Sequence, residues 1–324
     1  MDTLCHTLTG AAFGEAGLKH RTRYGNATLM IASNLPDIDV FVFFFTDTSG
    51  FAFRRGWTHG ILAQATLPIA LASLIWGIGR ARRIDVRFGW LLALSYVGVL
   101  SHVFLDYLNN YGIRLLAPFD WTWFYGDALF VADLVLWTVL GAGVWLARRR
   151  RAPVFARGSL LFTAAYIAVA LISTRIAREI VADAWRDLRG REPARVMVGP
   201  VSVTPFTRVV IVDDGDKYEV GTFRWWDQSV LFAPMMLPKN DMAPEVARAR
   251  EQSARVREFL VWARFPAWTL APVAAGTQVT VFDLRFISRS VNGAIFQAST
   301  VVETHSKTEA RSADGRETDA GLPH

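Results

Sequence analysis

Cysteine is almost missing from this 324-residue chain: Cys5 stands alone. That excludes an intrachain disulfide framework and any cysteine-built zinc cluster. Charge is scarce too, with Asp, Glu, Lys and Arg at 20%, where an ordinary soluble domain carries about 25%. The chain starts Met1-Asp2-Thr3, with no basic segment ahead of an apolar run and no small-residue cleavage site. A cleaved signal peptide is therefore not expected. No repeat with a period of about 20–50 residues is visible, which argues against a solenoid or propeller.

Apolar residues are abundant. They make up 52% of the chain, with 22 Phe and 12 Trp, and the mean hydropathy is +0.24. Disorder and coiled coil are excluded for the chain as a whole. The net charge of +6 comes mainly from arginine. These arginines lie in short loops between apolar runs and form no stripe interleaved with aromatics. They read as membrane-topology signals, and nucleic acid is not an expected partner.

Four runs, 61–79, 88–108, 128–147 and 159–174, have the apolarity of membrane spans, the last at the short end of the roughly 20 residues needed. The loop after the first holds Arg80, Arg82, Arg83 and Arg87. The loop after the third holds Arg148 to Arg151 and Arg157. By the positive-inside rule both are cytoplasmic. His59, Asp106 and Asp127 then share the opposite, outer side with everything after Thr174.

Residues 1–58 read as two helical pieces packed on the bundle. The first, 4–18, carries Gly10 and Gly14 at the spacing that lets helices approach closely. The second, 27–45, is broken by Asn34-Leu35-Pro36-Asp37-Ile38-Asp39, because proline removes a helical donor. A transmembrane bundle follows at 59–180, with a charged helix over 175–191 leaving the membrane. Residues 196–303 read as a strand-rich domain, with strands at 201–205, 208–212, 218–226, 279–287 and 294–302. Asp213-Asp214-Gly215-Asp216 marks a hairpin turn, and 244–262 an amphipathic helix. Residues 304–324 read as a disordered tail. The expected fold is thus an α-helical membrane bundle of about four spans plus broken N-terminal helices, carrying a C-terminal β-rich extramembrane domain.

Ionisable side chains in such a setting cost about 2.5–3.5 kcal/mol each on insertion scales, so each is a functional candidate. His102 and Asp106 are four apart and share a helix face, as ligands of one metal often do. A structural hydrogen bond satisfies the same spacing. His59 opens the preceding antiparallel run, so topology brings it to the same side of the bilayer. Asp37 and Asp39 serve equally as turn caps or as ligands in a greasy setting. His6 lies on an apolar helix, where a core histidine is the plainer reading. Asp133 is a ligand, a carboxylate orienting a metal-bound histidine, or a packing hydrogen bond. Mixed imidazole and carboxylate donors suit zinc, manganese or iron(II). Trp57, Trp121 and Trp123 fit either interface anchors or a site for an amphiphilic molecule.

Five blocks in order carry a resemblance: Met1-Asp2-Thr3-Leu4-Cys5-His6-Thr7-Leu8-Thr9-Gly10, Asn34 to Asp39, Arg55-Gly56-Trp57-Thr58-His59, Ser101-His102-Val103-Phe104-Leu105-Asp106-Tyr107-Leu108-Asn109, and Asp127 to Asp133. Over about residues 1–180 the chain resembles the YdjM-like membrane-bound metal-dependent hydrolases, although no proline follows Ala132-Asp133-Leu134 where one is expected. The resemblance implies a bacterial inner-membrane protein whose polar set maps onto His6, Asp37, Asp39, His59, His102, Asp106 and Asp133. The resulting expectation is a hydrolase in which a divalent metal, zinc foremost, is held by His6, Asp37, His59, His102 and Asp106. Asp37 or Asp39 is the general base, and Asp133 sits behind the ligands. Metal-activated water would attack an ester or phosphoester of a small or lipid-like substrate, with membrane lipids as partners. The alternative is a non-enzymatic anchor or transporter whose C-terminal domain binds envelope partners.

Overall fold

The Asp2 carboxylate accepts the free N–H groups of Leu4 and Cys5 and so starts the first helix, α1 (Thr3–Glu15), in the computed structural model. That structure describes residues 1–45, 50–202, 204–234, 236–286 and 296–303. Helix α2 (Gly25–Ala32) packs against α1 at the expected glycine. A methyl group on Gly10 would stand 2.8 Å from the Leu29 carbonyl oxygen, so nothing larger than hydrogen fits. The chain then breaks at Ser33-Asn34 and continues as a 3-10 helix, Leu35–Phe44, opened by Pro36.

Helices α3 (Ile61–Ala81) and α4 (Phe88–Tyr107) form an antiparallel pair joined by the arginine-rich turn. After a long loop come α5 (Leu134–Arg150) and α6 (Val154–Arg189). Three of these, α3, α4 and α6, are long and apolar enough to cross a membrane. The expected span at 128–147 is not matched by a helix of that extent. Residues 128–133 are non-helical, Asp133 caps a helix that begins only at Leu134, and three of its 17 residues are Arg148 to Arg150. The run at 159–174 extends in the opposite sense. It belongs to a 36-residue helix that continues unbroken through the charged segment expected to leave the membrane.

The C-terminal half of α6 enters the core of the sheet domain. Ala177, Val181 and Trp185 pack against Val198, Val210, Val212 and Phe223, and the Trp185 indole donates to Glu219 Oε2 at 3.1 Å. The first sheet is antiparallel: β1 (Arg195–Pro200), β2 (Thr207–Asp213), β3 (Lys217–Arg224) and β4 (Ser229–Phe232) lie in that order, and β5 (Leu237–Pro238) also pairs with β3. Gly215, at φ +90°, makes the predicted hairpin turn, its N–H bonded to Asp213 Oδ1. Of the strand expected at 201–205, the described residues 201, 202, 204 and 205 are not in a strand, and β1 ends just before them at Pro200.

The helix expected at 244–262 is two helices, α7 (Pro244–Gln252) and α8 (Ala254–Trp262). Ser253 adopts an extended backbone between them, and its hydroxyl accepts the Val256 N–H. Both cover a second antiparallel sheet, β6 (Pro266–Val273), β7 (Gly276–Asp283) and β8 (Gln297–Val302). Strand β6 carries two prolines and sits at the sheet edge, where a missing N–H is tolerated. The tail expected at 304–324 lies outside the described residues.

The loop between α4 and α5 joins the helices to the sheets. Arg285 donates to the Asn110 and Tyr111 carbonyls, the Trp123 indole donates to the Val261 carbonyl, and Arg264 and Arg178 both reach the Asp127 carboxylate.

Candidate metal centre

Helix α4 turns His102 and Asp106 inward on one face, where both are fully buried. His59 reaches them from the tight turn before α3. That turn nests so closely that a methyl on Gly60 would stand 2.2 Å from the Ala117 carbonyl oxygen. Asp37 arrives from the first turn of the 3-10 helix that the Asn34-Leu35-Pro36 break creates.

Asp37, His59, His102 and Asp106 each bring one ligand atom to a common point, all within 4.8 Å of one another. The two histidine Nε2 atoms are 3.2 Å apart. Asp106 Oδ2 lies 3.3 Å from His59 Nε2 and 3.5 Å from His102 Nε2. Asp37 Oδ1 stands 3.9 Å from each imidazole. A tetrahedral ion with bonds of ~2.0–2.1 Å separates its ligands by ~3.3 Å, close to three of these edges.

Hydrogen bonds around the site assign the protons. His102 Nδ1 is 2.8 Å from the Ser33 carbonyl, which can only accept, so Nδ1 is the donor and neutral Nε2 keeps its lone pair. The Thr58 hydroxyl donates to Asp39 Oδ2 at 3.0 Å and lies 2.9 Å from His59 Nδ1, placing an acceptor there as well. In these tautomers the neutral rings turn two lone-pair nitrogens toward two carboxylate oxygens. Among the described residues Asp106 Oδ2 is buried with no hydrogen-bond partner. A buried acceptor with no donor is costly, and a divalent cation is the group this donor set fits.

The remaining candidates divide. His6 stacks on His102 with ring centroids 3.8 Å apart, and its Nε2 is 3.3 Å from Asp106 Oδ1, the oxygen turned away from the cluster. It is beside the group of four and outside it. Asp39 holds the outer side: its Oδ2 accepts the Arg55 backbone N–H at 2.7 Å and lies 3.5 Å from His59 Nδ1. Asp133 is elsewhere. Its oxygens cap α5 and accept the Tyr166 hydroxyl, and among the described residues it contacts no histidine, so it does not orient a ligand. The same carboxylate chemistry serves caps and histidines alike, and here the cap wins.

Sequence reasoning passed over the cations. Arg55 Nη2 donates to Asp106 Oδ1 at 3.1 Å and Nη1 to Asn109 Oδ1 at 3.1 Å; the Met1 amino group also meets Asp106 Oδ1. Arg54 Nη2 donates to Asp37 Oδ1 at 3.2 Å. The available signal was a pair of arginines, five and four residues ahead of His59, outside the arginine-rich turns. Beside the cluster lies a cavity of about 520 Å³, lined by Asp37, Arg54 and Arg55 together with Tyr111, Trp262 and Phe296. Burial pushes the Tyr111 phenol up to about 12, so it stays protonated.

A bundle of apolar helices with this buried His/Asp cluster at one end defines a membrane protein with a candidate metal site. Residues 1–177 match the family described as YdjM inner membrane protein, and the chain belongs to that family. It is also similar to the uncharacterized protein YfhP of Bacillus subtilis (strain 168), 21% identical over 309 residues, covering 89% of this chain and 88% of that one. No solved structure matches it.

Proposed function

We propose that this protein is an integral membrane metal-dependent hydrolase acting on an ester or phosphoester of an amphiphilic substrate. The observation that carries the reading is the convergence of four ligand atoms, from Asp37, His59, His102 and Asp106, all within 4.8 Å of one another. His59, His102 and Asp106, whose ligand atoms stand 3.2–3.5 Å apart, would hold a divalent ion, and Asp37, set back at 3.9 Å from each imidazole, would border its open position; zinc is the best fit to this set. Such an ion supplies Lewis-acid polarisation and makes water acidic enough to act near neutral pH.

The chain's own residues do the rest. Asp37 borders both the cluster and the cavity and keeps 16% of its side chain exposed, so it is the carboxylate placed to take a proton from an incoming molecule. Asp39 is buried and committed to the Arg55 N–H and Thr58, and it holds the His59 tautomer. Arg55 donates to Asp106 Oδ1 and leaves Oδ2 for the cluster. Arg54 and Arg55 at the cavity wall favour an anionic head group, and Trp262 and Phe296 favour an apolar one next to it.

With the arginine-rich turns cytoplasmic, the cluster lies at the outer leaflet boundary and the sheet domain is extracytoplasmic. That domain forms one wall of the cavity, which favours a part in the same site over an independent partner-binding role. The test is hydrolysis of short-chain phospholipids and acyl esters by detergent-purified protein with added zinc or manganese. Turnover should vanish on chelation, return with metal, and be lost in His59→Ala/His102→Ala; turnover indifferent to chelation overturns the reading.

A further inference from the structure

A second cavity, of about 620 Å³, lies away from the metal cluster, between the start of α5, the middle of α6 and the loop joining β1 to β2. One wall is apolar: Leu134, Val169 and Ile172 from the helices and Phe206 from the loop, all exposed in the isolated chain. Val169 and Ile172 belong to the apolar half of α6, the part that can cross a membrane. In a bilayer this wall faces acyl chains.

The other end holds a polar anomaly. Arg208 lines the cavity, is only 2% exposed, and forms no ion pair among the described residues. Its Nη1 donates to the Asp127 and Ala128 carbonyls and the Thr174 hydroxyl at 2.9–3.3 Å. Among the described residues its Nε–H has no partner, and neither has the buried Nε1–H of Trp225 on the same cavity. Burial pulls the guanidinium below its usual pKa, as expected for a cation without a counter-ion. A buried donor left unmade is expensive. Two such donors at the polar end of an apolar groove match an amphiphile's anionic group.

The geometry points to a phospholipid-binding site: an acyl chain along Leu134, Val169, Ile172 and Phe206, with the lipid phosphate turned toward Arg208 and Trp225. This site is separate from the metal cluster and stands whether or not the chain hydrolyses anything.

Native mass spectrometry of the full-length protein tests it, with dioleoyl phosphatidylglycerol, dioleoylglycerol and inorganic phosphate as probes. Wild type should retain one phospholipid. Ile172→Trp, which fills the groove from an exposed position compatible with folding, and Arg208→Gln should each weaken retention by about tenfold, ~1.4 kcal/mol. Dioleoylglycerol should bind at least as weakly as phospholipid binds Arg208→Gln, and millimolar phosphate should not compete. Equal retention by wild type and Ile172→Trp overturns the site. So does phosphate that displaces the lipid, since that marks a free-anion site, or dioleoylglycerol retained as well as phospholipid.

Discussion

His59 shows how much one side chain depends on its neighbours. Its Nε2 serves the cluster only while Nδ1 carries the proton, and Thr58 with Asp39 holds it there. Asp39→Asn should therefore weaken zinc binding about 10–100-fold, as loss of an outer hydrogen bond to a ligating histidine typically does. Competitive titration against a chelator measures it, and circular dichroism should show the fold unchanged. At this scale the i, i+4 pair of His102 and Asp106 was legible, because helical spacing alone puts them together. Arg54 and Arg55 were harder to read: their place outside the arginine-rich turns was the one signal, and it does not separate an arginine answering a carboxylate from one facing lipid head groups. Asp133 was legible as a buried acid but not as to purpose, which depends on where the helix begins.

The elements follow from caps and breakers. Asp133 accepts the Val135 and Leu136 N–H groups, so Asp133→Ala should destabilise α5 by about 1 kcal/mol. Metal content should stay at the wild-type level, whereas a ligand-orienting residue would lower it. Elemental analysis beside a thermal melt separates the two. In the sheet domain, Asp213 resists burial, which would raise its pKa, because Lys239 and Arg195 hold it below the usual carboxylate range. Its contribution to stability is present above about pH 4 and is lost as pH falls through the lower folded value. Melting temperature against pH should fall there in wild type and less steeply in Asp213→Asn. Apolar runs at 61–79 and 88–108 revealed their helices, since length and hydropathy suffice. Strand β6 stayed hidden because its prolines forbid a central strand, and edge position is a property of the sheet.

The whole molecule is two bodies sharing α6 and a joint at the loop between α4 and α5. The arginines that close this joint, Arg178, Arg208, Arg264 and Arg285, come from α6 and the sheet domain and converge on the loop. Sequence separations above 130 residues, as between Asp127 and Arg264, leave no local trace of such contacts. The joint brings Trp262 to the cavity beside Asp37. Trp262→Ala should therefore lower turnover of an amphiphilic ester by raising KM, with bound metal unchanged; steady-state kinetics on a long-chain and a short-chain ester would show the loss mainly for the long one. All of this depends on whether the convergent residues hold an ion. Metal content by mass spectrometry of detergent-purified protein, wild type beside His59→Ala/His102→Ala, decides it most directly. Near-stoichiometric divalent metal in wild type and its loss in the double variant is the predicted result; wild type that holds no metal after zinc and manganese are supplied, or a double variant that holds as much, contradicts the account.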